Sequence, residues 1–212
     1  MASASLSVQI LVLLAAYLIG SVSFGVVVSK LMGLADPHTY GSGNPGATNV
    51  LRTGNKKAAL FTLLGDVGKG VLAVLLARWL APSLGLSDMI IMLVGLAAFI
   101  GHLYPVFHGF KGGKGVATAA GVILGLQPLL GLAVLLIWIA VALLTRYSSL
   151  AALIAAMFAP ACYMAGQERL WPLLPGTLLA LSLMGLLLLW RHRENIRRLL
   201  AGTESKIGSK KK

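Results

Sequence analysis

The sequence predicts an all-α integral membrane protein of seven transmembrane helices, with the N-terminus outside and the C-terminus inside. Three observations carry that prediction. Of 212 residues 58% are hydrophobic, the apolar residues fall in runs of the length a bilayer requires, and a net charge of +12 is concentrated between those runs. A mean hydropathy of +0.87 excludes an ordinary soluble core. The lone Cys162 sits in an apolar run, so neither a disulfide framework nor a cysteine metal site is expected. The basic residues are interrupted by long apolar spans and lack interleaved aromatics, which argues against nucleic acid as a partner and for the lipid bilayer.

A crossing helix needs about 20 apolar residues. Leu6 to Val28 supplies the first, and because no Lys or Arg precedes it, it reads as a retained helix and not a cleaved signal. Ala58 to Leu80 supplies the second only if Asp66 and Lys69 lie within the membrane or at its edge. Met89 to Leu103 is the third. Val116 to Leu144 runs 29 residues, long for one span and short for two, and a turn at Gln127-Pro128 makes it two. Ser149 to Ala165 and Pro172 to Trp190 complete the seven. Of the 18 Lys/Arg this division leaves only Arg78 and Arg169 outside, and the other 16, Lys69 of the second span among them, lie in the membrane or on the cytoplasmic side. A single span over 116–144 would put either the polar loops or the basic tail on the wrong side of the positive-inside rule. No repeat or domain boundary is evident, so residues 1–212 read as one domain with a basic cytoplasmic tail from about 191 to 212, ending in three lysines.

Three polar segments then share the cytoplasmic face. The first holds Gly41-Ser42-Gly43-Asn44-Pro45-Gly46-Ala47-Thr48-Asn49 and Arg52, where glycines let backbone amides converge, Ser42 and Asn49 add neutral donors, and Arg52 offers a bidentate fork for phosphate. A plain turn-rich connector would also use these residues. The second, Lys111-Gly112-Gly113-Lys114-Gly115, runs straight into the span that opens at Val116, so free amides, a helix dipole and two ammonium groups coincide. A loop obeying only the charge rule is the alternative. The third, His192 to Leu199, continues the last span at helical spacing and sets His192, Asn195 and Leu199 on one face. An Arg-rich helix binding anionic headgroups has the same pattern. Asp66 and Lys69, one turn apart, can neutralise each other, either as functional groups or as a brace, and His102 reads as a structural hydrogen-bonding residue. His38 and His108 have no partners at metal-ligand spacing, so no metal or cofactor is expected. No Gly-x-Ser-x-Gly elbow and no His-x4-Asp pair occurs, so a serine or cysteine acyl-enzyme lacks support.

Together these segments resemble the PlsY family, the acyl-phosphate-dependent glycerol-3-phosphate acyltransferases. The likeness lies in Ser42 to Asn49 with Arg52, in Gly101-His102 through Pro105 to Gly115, and in His192 through Asn195, Ile196, Arg198 and Leu199 to Gly202 and Glu204. The resemblance implies acyl transfer from acyl phosphate to the 1-hydroxyl of glycerol 3-phosphate, in a bacterial inner membrane, as the first acylation of phospholipid synthesis. It also implies a soluble PlsX-type partner that makes the acyl phosphate. On that reading Ser42, Lys111, His192 and Asn195 are catalytic. Ser42, Asn49, Arg52, Lys111, His192 and Asn195 bind glycerol 3-phosphate; Gly112, Gly113, Lys114 and Gly115 bind acyl phosphate; and Asn44, Gly46, Asp66, Lys69, His102 and Glu204 support them. Transfer is expected to be direct, with sequential kinetics. An organophosphate transporter is the alternative from another class, weakened by having its polar residues on one face instead of at the midplane.

Overall fold

A computed structural model describes residues 3–172, 174 and 176–208, so the Lys210-Lys211-Lys212 end of the tail lies outside the described residues. The described chain is helical almost throughout. Helix α1, Leu6–Ser21, is capped by Ser5, and α2, Phe24–Leu31, leaves it at a bend of 44°. The single span expected from Leu6 to Val28 is therefore broken at Val22–Ser23. The break has a partner: the Val22 carbonyl, released from the helical ladder, accepts a 2.6 Å hydrogen bond from Lys69 Nζ.

The short helix α3, Ala47–Val50, runs into one 3₁₀ turn, Leu51–Thr53. Helix α4, Lys56–Leu84, starts where Asn55 caps the Ala58 amide and stops at Gly85 in the left-handed region. Asp66 and Lys69 lie within α4, both nearly fully buried. Helix α5, Asp88–Leu103, leads through a 3₁₀ turn at Val106–His108 into the glycine-rich loop. Helix α6, Val116–Leu126, ends at Gln127, and α7, Pro128–Thr145, starts with proline at its first position, where the missing amide costs nothing. Gly131 packs against Leu124, so α7 turns back along α6. Helix α8 is Ser148–Gly166 and α9 is Thr177–Arg191, starting five residues after the expected Pro172. Helix α10, Arg193–Leu200, is separated from α9 by His192, so the last span does not continue as one helix.

Small residues let the helices approach closely. A Cβ on Gly121 of α6 would lie 2.0 Å from the Val67 carbonyl of α4, and one on Gly20 of α1 would lie 2.0 Å from that of Ala98 on α5. The interior is filled by Val74, Val94, Ala98, Phe99 and Val122, while Leu11, Leu14, Leu64, Leu136, Leu143 and Leu186 point outward. An apolar exterior over a packed interior suits a protein solvated by lipid. By length and composition α4, α5, α7 and α8 can cross a bilayer, and α1 with α2 as one bent span makes a fifth; α6 and α9 are shorter apolar helices.

Candidate active site

All three polar segments meet. Gly41, Ser42, Gly43 and Asn44 of the first loop, Gly112 and Lys114 of the second, and Arg191, Arg193, Glu194 and Arg198 around the α9–α10 junction enclose a cavity of about 440 Å³. Four cations face one carboxylate there, so the cavity is built for anions.

The first loop is held in shape by Asn49. Its carbonyl accepts the Ser42 amide at 3.0 Å, and its amide nitrogen donates to the carbonyls of Pro37 and Tyr40 at 2.9 and 3.2 Å. Gly41 and Gly43 take positive φ, which leaves Ser42 exposed at the tip. A Cβ on Gly46 would press on the Asn44 amide. Arg52 is exposed, and its guanidinium donates to Ser205 Oγ at 2.9 Å.

The second loop differs from the expected row of open amides. The Gly113 N–H donates to the His102 carbonyl at 3.1 Å, so it is not free for a phosphate. Glycine is required at 112 and 113 by contact: a Cβ at either would lie 2.1 Å from the carbonyl or the ring of His102. Gly115 turns at φ +89 against Phe99 and opens α6, whose first amides face the end of the loop without helical acceptors. The carbonyls of Gly112 and Gly113 are clamped by Arg191, Nη2 to Gly112 at 2.7 Å and Nε to Gly113 at 3.1 Å. Lys111 is exposed at the outer edge, and its carbonyl accepts from His38 Nε2 at 3.0 Å while His38 Nδ1 pairs with Asp36 at 2.7 Å. That Asp36–His38 link between the loops was missed in the sequence, although the Asp-x-His spacing was visible.

Lys114 is half-buried and donates to Asn195 Oδ1. Burial, reinforced by Arg198, Arg191 and Arg52 and opposed by Glu204, pushes its ammonium down to about 8. The Asn195 amide nitrogen donates to Glu204 Oε1 at 2.6 Å, Ser149 donates to the same oxygen at 2.7 Å, and Arg198 Nε donates to Oε2 at 2.7 Å. Burial alone would raise the Glu204 pKa, but these three donors and the Arg198 charge hold it below the ordinary value, so it is an anion. His192 is 3% exposed, and burial together with the Lys114 charge pushes its pKa down to about 4. Its Nδ1 lies 2.9 Å from the Leu188 carbonyl, which can only accept. The neutral ring therefore carries its proton on Nδ1, leaving Nε2 as an acceptor. Asp66 Oδ1 lies 2.9 Å from Lys69 Nζ and 3.5 Å from His102 Nδ1, beneath the second loop. Among the described residues no group of three or more His, Cys, Asp or Glu could hold a metal.

The site's comparison with known proteins is decisive. A family model described as glycerol-3-phosphate acyltransferase matches residues 10–202. The chain belongs to the PlsY family of glycerol-3-phosphate acyltransferases. A glycerol-3-phosphate acyltransferase of Ralstonia pickettii (strain 12J) is 63% identical over 199 residues, covering 94% of each chain. Another, of Cupriavidus pinatubonensis, is 62% identical and covers 96% of this chain and 98% of its own. The crystal structure of PlsY, an integral membrane glycerol 3-phosphate acyltransferase, in its glycerol 3-phosphate form superposes at a TM-score of 0.84 with 40% identity, covering 94% of this chain and 96% of that one. Its lysophosphatidic acid form gives 0.82 at the same identity. This member of the PlsY family is accordingly an integral membrane protein of the acyltransferases that serve phospholipid synthesis.

Arg191, Ser149 and Ser205 are the site residues that sequence reading passed over, and Arg198 was named only within the family motif. The arginines were in view as juxtamembrane charge, but only the fold shows Arg191 clamping the second loop and Arg198 lining the cavity while paired with Glu204.

Proposed function

We propose that the chain transfers a fatty acyl group from acyl phosphate to the 1-hydroxyl of glycerol 3-phosphate, giving lysophosphatidic acid and inorganic phosphate. The observation that carries this reading is a cavity lined by four cations beside apolar helices, in a chain 40% identical to a protein seen in glycerol 3-phosphate and lysophosphatidic acid forms. Lys114 and the first amides of α6 bind the donor phosphate, with Lys111 at the rim, while Ser42, Arg52 and Lys111 receive glycerol 3-phosphate. Asn49, whose amide is engaged within its loop, shapes that pocket instead of touching substrate. Asn195 fixes Lys114 and is itself fixed by Glu204. His192 Nε2, unprotonated, accepts the hydrogen bond of the attacking hydroxyl and orients it. The hydroxyl oxygen bonds to the acyl carbon, the bond from that carbon to the phosphate oxygen breaks, and the departing phosphate takes the proton. Alignment of two bound reactants supplies about 7–11 kcal/mol of such a barrier, so no acyl-enzyme is needed.

The topology we propose has seven crossings, N-terminus out. Contacts of Thr48 with Ser148, Lys114 with Asn195, and Ser149 with Glu204 gather both loops, the α7–α8 turn, the α9–α10 junction and the tail on one face. Pairs of crossings then separate them: α4 and α5, α6 and α7, α8 and α9. With α1–α2 the count is seven, and the charge rule places the shared face in the bacterial cytoplasm, open to a soluble PlsX-type donor enzyme.

The test is turnover by the purified protein in lipid. Lysophosphatidic acid from acyl phosphate, none from acyl-CoA, and no acylated protein after donor alone are expected. Comparable turnover with acyl-CoA, or recovery of an acyl-protein, would overturn the reading.

A further inference from the structure

Lys69, Asp66 and His102 sit inside the bundle, outside the cavity, and their contacts reach four separate elements. The ammonium of Lys69 ties α4 to the α1–α2 break through the Val22 carbonyl at 2.6 Å. Asp66 balances that charge at 2.9 Å and reaches the His102 ring of α5, while the Asp66 carbonyl accepts Thr118 Oγ1 of α6 at 3.0 Å. His102 in turn supports the second loop twice, its carbonyl accepting the Gly113 amide and its ring filling the space a Gly113 side chain would need. The other end of the chain of contacts reaches the first loop. Phe24 packs on Gly65, one residue before Asp66, and a Cβ on Gly25 would lie 2.1 Å from the Pro45 carbonyl. The position of α2, and through it of Pro45, is thus set from the same point on α4 that sets Gly113.

A charge pair in this environment is costly unless fully satisfied, and an apolar packing of equal volume would serve stability as well or better. What hydrocarbon side chains cannot do is satisfy a carbonyl freed by a helix break. We propose that Lys69, Asp66 and His102 are positioning residues for the transfer reaction, a buried strut that fixes the two substrate loops relative to each other. The inference rests on the acyl-transfer reading above, because each loop is taken to hold one of the two reactants. If the strut fails, each loop still carries its own cations, but the hydroxyl no longer meets the acyl carbon in register, and water competes for the bound donor.

The test uses Asp66→Asn/Lys69→Met, which leaves no unpaired charge in the bundle, and the pair His102→Gln and His102→Leu, of which only the first retains a donor toward Asp66. Two readouts are taken in lipid vesicles. The first is the ratio of phosphate released to lysophosphatidic acid formed, corrected for vesicles alone, in which any inactive fraction of protein cancels. It is expected to be near one for the unmodified chain and His102→Gln, and to rise about threefold or more for the double variant and His102→Leu. The second is the distance distribution between spin labels at Thr39 and Phe107, in a Cys162→Ala background and with no substrate present. It is expected to broaden in the same two variants and in no other. Retained coupling together with an unbroadened distance would overturn the strut. Absence of any lysophosphatidic acid from the unmodified chain would overturn the acyl-transfer reading instead, and the distance measurement would then decide the strut alone.

Discussion

The Arg191 guanidinium, at the last residue of α9, donates to the carbonyl of Gly112 at 2.7 Å and to that of Gly113 at 3.1 Å. Its plane lies over Tyr104, 5.5 Å from the ring centroid. One side chain thus fastens the end of α9 to the glycine-rich second loop through a fork that lysine lacks.

Arg191→Lys keeps the charge and loses both the fork and the ring contact. Hydrogen bonds from charged donors contribute about 1.5–3 kcal/mol each, so kcat/KM for the donor is expected to fall at least about tenfold. The KM for glycerol 3-phosphate should change much less. Steady-state kinetics with each substrate varied in turn checks this, and an unchanged donor KM would remove Arg191 from the loop's support.

Asn49 is 1% exposed and makes three hydrogen bonds within the first loop. Asn49→Ala strands the Ser42 amide and two carbonyls and is expected to cost about 2–3 kcal/mol locally. Asn49→Asp should be worse, because a carboxylate would face the carbonyls of Pro37 and Tyr40. The order asparagine, alanine, aspartate in thermal stability and in affinity for glycerol 3-phosphate is the expected result.

The proposed seven crossings make a labelling pattern. Single cysteines at Ser42, Lys114 and Gly208, in a Cys162→Ala background, are expected to react only from the cytoplasm, and one at Ser87 only from outside. Labelling of positions 114 and 208 from opposite faces would defeat the proposed topology.

The helical class, the sites of the polar loops and the break at Gln127 were legible because each rests on local chemistry: apolar length, glycine, proline at a helix start. Where contacts decide, sequence fell short. Gly113 was read as an open amide, yet its N–H belongs to His102, which lies eleven positions away and across a turn. The first span was read as continuous because Val22 and Ser23 are ordinary apolar-span residues. The carbonyl freed at the break is satisfied by a lysine 47 positions on, and no periodicity reports that. His192 and Asn195 were placed on one face by spacing; the end of α9 at His192 followed from no residue preference. Glu204 was named as a supporting residue, and the fold shows what it supports: it is paired with Arg198 and accepts from Asn195 and Ser149.

The last prediction concerns pH. In the empty enzyme burial and neighbouring arginines hold the Lys114 ammonium at about 8, well below its ordinary value. Below that pH it is a cation and can hold the donor phosphate; as pH rises through 8 the charge is lost. Donor KM is therefore expected to be nearly flat from pH 6.5 to 7.5 and to rise about fivefold between pH 8 and 9. His192, held neutral by a pKa of about 4, adds no inflection in this range. Bound phosphate favours the ammonium, so donor binding at pH 9 should take up a proton, measurable as a buffer-dependent binding enthalpy. Stability runs the other way. The folded pKa lies below the unfolded one, so burial of the charged form opposes folding below pH 8, and this penalty is relieved as pH rises from about 8 towards the unfolded value. Lys114→Arg, which stays charged, is expected to flatten the donor KM profile even where it lowers turnover. A KM rise above pH 8 that survives in Lys114→Arg would assign the inflection to another group.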